Sequence, residues 1–144
     1  EWTPPHEATR DDYPFELDTG RTVYHFHTRT KTGRAPELAA AAPDVWVELS
    51  EPDAARLGVA DGDLVRVESA RGHLDARARI AAVRPGVVFA PFHYGYWDQP
   101  GGDHPDGRAR AANELTITEW DPVSKQPLYK VAAVRVVKLP AEEG

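Results

Sequence analysis

Between Asp63 and Ile80 the chain alternates apolar and polar residues in two runs joined by a short stretch containing glycine, and this period of two constrains the fold more than any other feature. In DLVRVE, Asp63 to Glu68, Val65 and Val67 alternate with Arg66 and Glu68; in HLDARARI, His73 to Ile80, Leu74, Ala76, Ala78 and Ile80 alternate with His73, Asp75, Arg77 and Arg79. Successive side chains of a strand point to opposite faces, so each run predicts a strand with one dry face and one wet face. Ala70-Arg71-Gly72 predicts the hairpin turn between them, with glycine available for a positive φ. Further strands are expected at Phe15 to Leu17 with Thr19-Gly20 as its turn, at Thr22 to His27 (TVYHFH), at Val87 to Phe92 with Pro91 near its end, and at Ala132 to Leu139. Ser50 is a good N-cap for a short helix from Pro52 to Leu57, which Gly58 closes. The expected architecture is mainly β: at least six strands in a closed or nearly closed barrel, with one or two short helices.

The 144 residues suit a single core, read as residues 15–139, behind a Pro-rich and acidic linker at residues 1–14 and before a tail at residues 140–144. Gln99 to Arg108 has no aliphatic residue and is expected to be a mobile loop, with Tyr94, Tyr96 and Trp97 before it either as ligand or domain contacts or as rings packed on the barrel rim beside a solvated insertion. A formal net charge of -6 and a pI near 5.5 argue against general affinity for nucleic acid or an anionic membrane. The absence of Cys excludes disulfides, thiolate metal sites and a cysteine nucleophile. No apolar run approaches a membrane span and no leader is evident, so a cytoplasmic location is expected. A chain that opens on Glu1 and lacks Met reads as a piece of something longer or as a processed product.

Against that acidic balance, the segment between Gly20 and Glu37 carries Arg21, Arg29, Lys31 and Arg34, two histidines and no carboxylate. In HFHTRTKTGR, His25 to Arg34, strand alternation would put His25 and His27 on one face and Phe26 on the other. Hydroxyls, backbone N–H groups and cations where a strand gives way to a loop are the parts of a phosphate cradle. The same residues also suit a solvated edge strand whose cations discourage pairing. A zinc site on His25-x-His27 would need ligands at no diagnostic spacing.

Five blocks in order carry a resemblance: Thr19-Gly20-Arg21-x-x-x-His25-x-His27-Thr28; Gly62-Asp63-x-Val65-x-Val67; Val88-Phe89-x-Pro91-Phe92-His93; Asn113-x-Leu115-Thr116; and Asp121-Pro122-x-Ser124-Lys125-x-Pro127-x-Tyr129-Lys130. Together they resemble the C-terminal molybdopterin-dinucleotide-binding domain of the molybdopterin oxidoreductase superfamily, which includes nitrate reductases and formate dehydrogenases. The resemblance implies a six-stranded double-psi β-barrel. It also implies that the barrel embraces part of a bis(molybdopterin guanine dinucleotide) molybdenum cofactor alongside upstream domains of the same polypeptide. Carried over residue by residue, the cofactor-binding positions are Thr19, Gly20, Arg21, His25, His27, Thr28, Asn113 and Lys130, with Phe92 or His93 facing the pterin or the substrate channel.

The chemistry of these residues suits that role: Arg21, His25, His27 and Thr28 for a pyrophosphate, Asn113 for a heterocycle edge, and Lys130 as a point charge. Asn113 could equally cap a turn and Lys130 could be solvated. The family's metal ligand and iron–sulfur cysteines lie in other domains, so this chain is expected to hold no catalytic residue or metal, to bind no cofactor tightly alone and to show no redox turnover. Two rivals use the same barrel. Aspartate decarboxylases self-cleave at a Gly-Ser pair, which is absent here; stand-alone partner- or substrate-binding modules need no nucleotide contact.

Overall fold

A computed structural model describes residues 4–95 and 110–140. The chain forms a closed six-stranded barrel of the double-psi type. Its strands are β1 (Phe15–Gly20), β2 (Trp46–Leu49), β3 (Leu64–Glu68), β4 (His73–Ile80), β5 (Val87–Pro91) and β6 (Val131–Lys138). Around the wall they run β1-β5-β2-β4-β3-β6. Two short helices, α1 (Pro36–Ala41) and α2 (Glu51–Leu57), and 3-10 turns at Thr32–Arg34 and Ala112–Leu115 complete the described elements. No described helix is long and apolar enough to cross a membrane.

The alternation in the sequence is the inside–outside alternation of the wall. Val65, Val67, Leu74, Val88 and Val134 are fully enclosed, and each such burial contributes roughly 1.5–3 kcal/mol. On the opposite face of β3 and β4, Arg66 places Nε and Nη2 at 2.7 and 2.8 Å from the two carboxylate oxygens of Asp75, a bidentate pair across one register position. Pro91 ends β5, where no ladder donor is needed.

Three expectations need correction. The second strand is Trp46–Leu49, not Thr22 to His27, which forms an irregular loop. Its β-branched and aromatic content is mostly exposed, with Val23 at 90% and Phe26 at 62% accessibility, and the positive φ values of His27 and Arg29 are incompatible with a ladder. Thr19-Gly20 is strand rather than turn: Thr19 pairs with Ala90 and Gly20 with Pro91, and a Cβ on Gly20 would stand 2.4 Å from the Phe89 ring. Gly72 serves close approach rather than positive φ, since a Cβ there would meet the Glu114 carbonyl oxygen at 3.0 Å. The segment expected to be a mobile loop lies outside the described residues, as do Tyr96 and Trp97.

Helix α2 follows its sequence signals, from the Ser50 N-cap to Gly58 in the left-handed region at φ 66°. Buried Asp53 ties this helix to the turn before β5, accepting from Ser50 Oγ at 2.7 Å, from Arg56 at 2.8 Å and from the Gly86 N–H at 2.7 Å. Near Ile80, Asp61 caps the β4 end by accepting its N–H at 2.8 Å. Replacing Asp53 with Ala strands those donors. The Asp53→Ala variant is expected to lose about 2 kcal/mol of unfolding free energy, read as a lower urea midpoint at unchanged slope.

Candidate functional site

The barrel registers decide which distant residues meet. β1 runs parallel to β5 and antiparallel to β6, so the C-terminal ends of β1 and β5 and the N-terminal end of β6 share one rim. The β3–β4 hairpin reaches the same rim through its pairing with β6. Thr19, Gly20, Phe92, His93 and Lys130 therefore lie together, and the Arg21 to Thr32 loop crosses over them.

Lys130 is the outer member of this group. Its ammonium donates to the Thr19 carbonyl at 3.1 Å and stands 4.4 Å from the Phe92 ring centroid. Thr19 itself is enclosed, its hydroxyl donating to the Tyr129 carbonyl at 3.0 Å. His93 is 1% exposed and bridges the loop above it: its Nε2 meets the Thr22 N–H at 2.9 Å and its Nδ1 meets the His27 carbonyl at 2.5 Å. Burial, reinforced by the charges of His25, Arg29 and Arg21, pushes His93 below the usual histidine range, while the bond to His27 opposes the shift. His93 thus faces the loop, not an open channel, and Phe92 is half-buried beneath Lys130.

The two histidines of the opening run part company. His25 turns inward, with Nδ1 3.1 Å from the Thr32 hydroxyl and Nε2 2.8 Å from the Ala42 carbonyl, which also accepts from Tyr94 Oη at 3.0 Å. Burial pushes the Tyr94 hydroxyl up to about 12, so it remains a donor. His27 stays exposed, edge-on to Phe26 at 4.2 Å. They do not share a face, and no cluster of metal-ligating side chains occurs among the described residues.

The residues from the sequence reading therefore sort by availability. Thr19 and His25 spend their polar side-chain atoms on protein partners, and Gly20 is small to admit Phe89. Arg21, His27, Thr28, Asn113 and Lys130 are exposed. Asn113 sits on the 3-10 turn against the β3–β4 hairpin, at the same end of the barrel but with no described contact to the Lys130 group. Its side chain does not cap that turn.

One group was absent from the expected set. Thr22 Oγ1 is buried and has no hydrogen-bond partner, an orphan that costs about 1–3 kcal/mol. Nothing local marks it, because its neighbour His93 is 71 positions away. Thr22 and Arg21 also line an open pocket of about 510 Å³ on the outer wall, whose floor includes Asp18, Glu48 and Phe89. Those two carboxylates make the pocket itself unfavourable to phosphate, so an anion meeting Arg21 would stand outside it.

Comparison with known proteins bears on the family and the fold. The family described as "Molydopterin dinucleotide binding domain" matches residues 15–133. The chain is 43% identical over 137 residues to a nitrate reductase of Symbiobacterium thermophilum, covering 93% of this chain and 17% of that protein. It is 39% identical to a periplasmic nitrate reductase of Desulfovibrio desulfuricans, covering 88% and 15% respectively. It is 37% identical to the F420-dependent formate dehydrogenase subunit alpha of Methanocaldococcus jannaschii, covering 92% and 18%. The acetylene hydratase of Pelobacter acetylenicus superposes with a TM-score of 0.76 at 20% identity, over 96% of this chain and 21% of that one, and so shares the fold. The chain thus spans less than a fifth of the relatives' length.

The contrast between spent and available groups is testable. His25→Phe is expected to cost about 2 kcal/mol in unfolding free energy, whereas Thr28→Ala should stay within about 0.5 kcal/mol of the parent chain, both measured by urea denaturation.

Proposed function

We propose, from the premise that this chain belongs to the Molydopterin dinucleotide binding domain family, that it forms part of the binding surface for a bis(molybdopterin guanine dinucleotide) molybdenum cofactor. In this reading it is the C-terminal domain of a larger oxidoreductase of the nitrate reductase or formate dehydrogenase type. The observation that supports the reading is the rim: exposed Arg21 and Thr28 belong to the segment that leaves β1, exposed Lys130 donates to the Thr19 carbonyl at its base, and the Thr22 hydroxyl within that segment has no partner.

The donor set fits a dinucleotide. Arg21 and Lys130 offer charge to a diphosphate, and the Thr22 and Thr28 hydroxyls can donate to its oxygens. Asn113 offers both a donor and an acceptor to a heterocycle edge. Thr19, His25 and His93 act behind them, holding backbone rather than touching ligand. When bound, the cofactor supplies the oxidation–reduction chemistry; the residues of this chain bind and orient it. Exposed Val23, Tyr24 and Phe26 beside the rim favour upstream domains of the same polypeptide as the partner that covers the loop.

GDP is a suitable probe of the nucleotide half. Binding to the chain alone is expected to be weak, with a dissociation constant on the order of 1 mM, because most contacts would come from the remainder of the protein. Amide shifts should concentrate at Arg21 to Thr28 and Lys130; shifts confined elsewhere would instead favour a partner-binding module. Arg21→Gln combined with Lys130→Gln should weaken GDP roughly tenfold, about 1.4 kcal/mol. The chain alone should not turn over reduced viologen, and molybdenum-dependent activity from it would overturn the assignment of the catalytic groups to other domains.

A further inference from the structure

We infer that His93 is the positioning residue of the ligand-facing loop: a neutral ring with its proton on Nδ1 spans Thr22 and His27 and holds the segment between them so that Arg21, Thr22 and Thr28 stand at the rim. What the loop presents rests on the nucleotide reading above; how it is held rests on geometry alone.

The tautomer follows from the partners. The Thr22 N–H can only donate, so Nε2, 2.9 Å away, must offer its lone pair. The His27 carbonyl can only accept, so Nδ1 must carry the hydrogen. One ring thereby satisfies a donor and an acceptor five residues apart in a loop that has no strand ladder. Other ties hold the same loop, His25 to the Ala42 carbonyl at 2.8 Å and Arg29 to the Pro43 carbonyl at 3.4 Å among them. Within the loop the Arg29 N–H donates to the Phe26 carbonyl at 3.1 Å, and the Thr32 hydroxyl accepts from the Phe26 N–H at 3.2 Å while reaching His25. His27 adopts φ 46°, a conformation that a non-glycine residue keeps only when its surroundings hold it.

Protonation would convert Nε2 into a second donor aimed at the Thr22 N–H, removing one bond and opposing two hydrogens. Among the described residues no carboxylate compensates a charge on the ring. From the loop it faces Arg21, Arg29, His27 and His25, whose ring lies 6.1 Å away. From the end of β5 and beyond it meets Phe92 and the un-ionised Tyr94, and Lys130 stands over Phe92. No described carboxylate hydrogen-bonds to it. The folded value lies below the ordinary 6.5, so the bracket is complete above pH 6.5 and is lost as pH falls through that lower folded value. Stability rises with pH across that window, because the unfolded chain binds the proton more readily.

Glutamine separates positioning from simple packing. Its carbonyl can accept from Thr22 and its amide can donate to His27, and it does not titrate. On the whole chain, the imidazole ¹⁵N resonances of His93 should report Nδ1–H and an acceptor Nε2 near neutral pH. Thr22 amide exchange should be slow above pH 6.5 and accelerate roughly tenfold beyond the intrinsic pH effect as the ring protonates. His93→Gln should keep the slow exchange, keep GDP affinity within about twofold and abolish the excess pH dependence. His93→Phe should lose the Thr22 protection roughly tenfold and weaken GDP in parallel. An Nε2-protonated ring, or a Gln variant that retains the wild-type pH dependence, overturns the inference; neither measurement requires the Phe variant to fold. If the wild-type chain ignores GDP, the nucleotide reading falls, and the tautomer and exchange results still decide the role of His93.

Discussion

The rim depends on the parallel pairing of β1 with β5. Parallel strands end on the same side, so Gly20 and Pro91 finish opposite each other, and the residues that follow each strand are delivered to one place. Antiparallel β6 then brings Lys130 to the same edge from the opposite end of the chain, where the Thr19 N–H donates to the Lys130 carbonyl at 3.1 Å. Closure of the barrel leaves none of these strands an open edge, and the segment after Gly20 must therefore leave the wall as a loop.

That loop divides its polar groups between two tasks. A buried donor or acceptor without a partner is costly, and His25, Thr32 and His93 meet this demand by pairing with backbone or with one another. Arg21 and Thr28 remain exposed, and the Thr22 hydroxyl is left buried without a partner. A sequence motif cannot separate the two classes, because His25 and Arg21 belong to the same block yet one turns into the protein and the other out of it.

Local signals in the sequence were sufficient where the cause of structure is local. The alternation of β3 and β4, the Ser50 cap, the Gly58 stop and Pro91 at a strand end all read correctly, since each depends on neighbouring residues. Strand β2 rests on only four residues, in which Val47 and Leu49 alternate with Glu48, and Thr22 to His27 has strand propensity without strand structure because propensity does not register that the barrel wall is already complete. Gly20 and Gly72 are small because Phe89 and Glu114 approach them, contacts made across 69 and 42 positions of sequence. The Thr22–His93–His27 bracket has the same character. The order of the five blocks made the rim's residues recognisable, but only the fold separates those left exposed from those spent on protein partners.

The distribution of ion pairs adds a further step. Several cations elsewhere on the surface are ion-paired: Arg66 with Asp75, Arg71 with Glu7 at 2.6 Å, Arg135 with Glu68, and Lys138 with Asp63 at 2.6 Å. Arg21, Lys31 and Arg34 are exposed and make no ion pair among the described residues, in a chain with 23 acidic side chains against 17 Lys and Arg. Surface pairs contribute at most about 1 kcal/mol, so leaving these three cations unpaired costs the fold little. What it preserves is their field: a positive edge on a negative body attracts an anion to one place and repels it from the remainder. The loop therefore adds little ion-pair stabilisation to the barrel while keeping three cations exposed, which is compatible with the proposed anionic ligand.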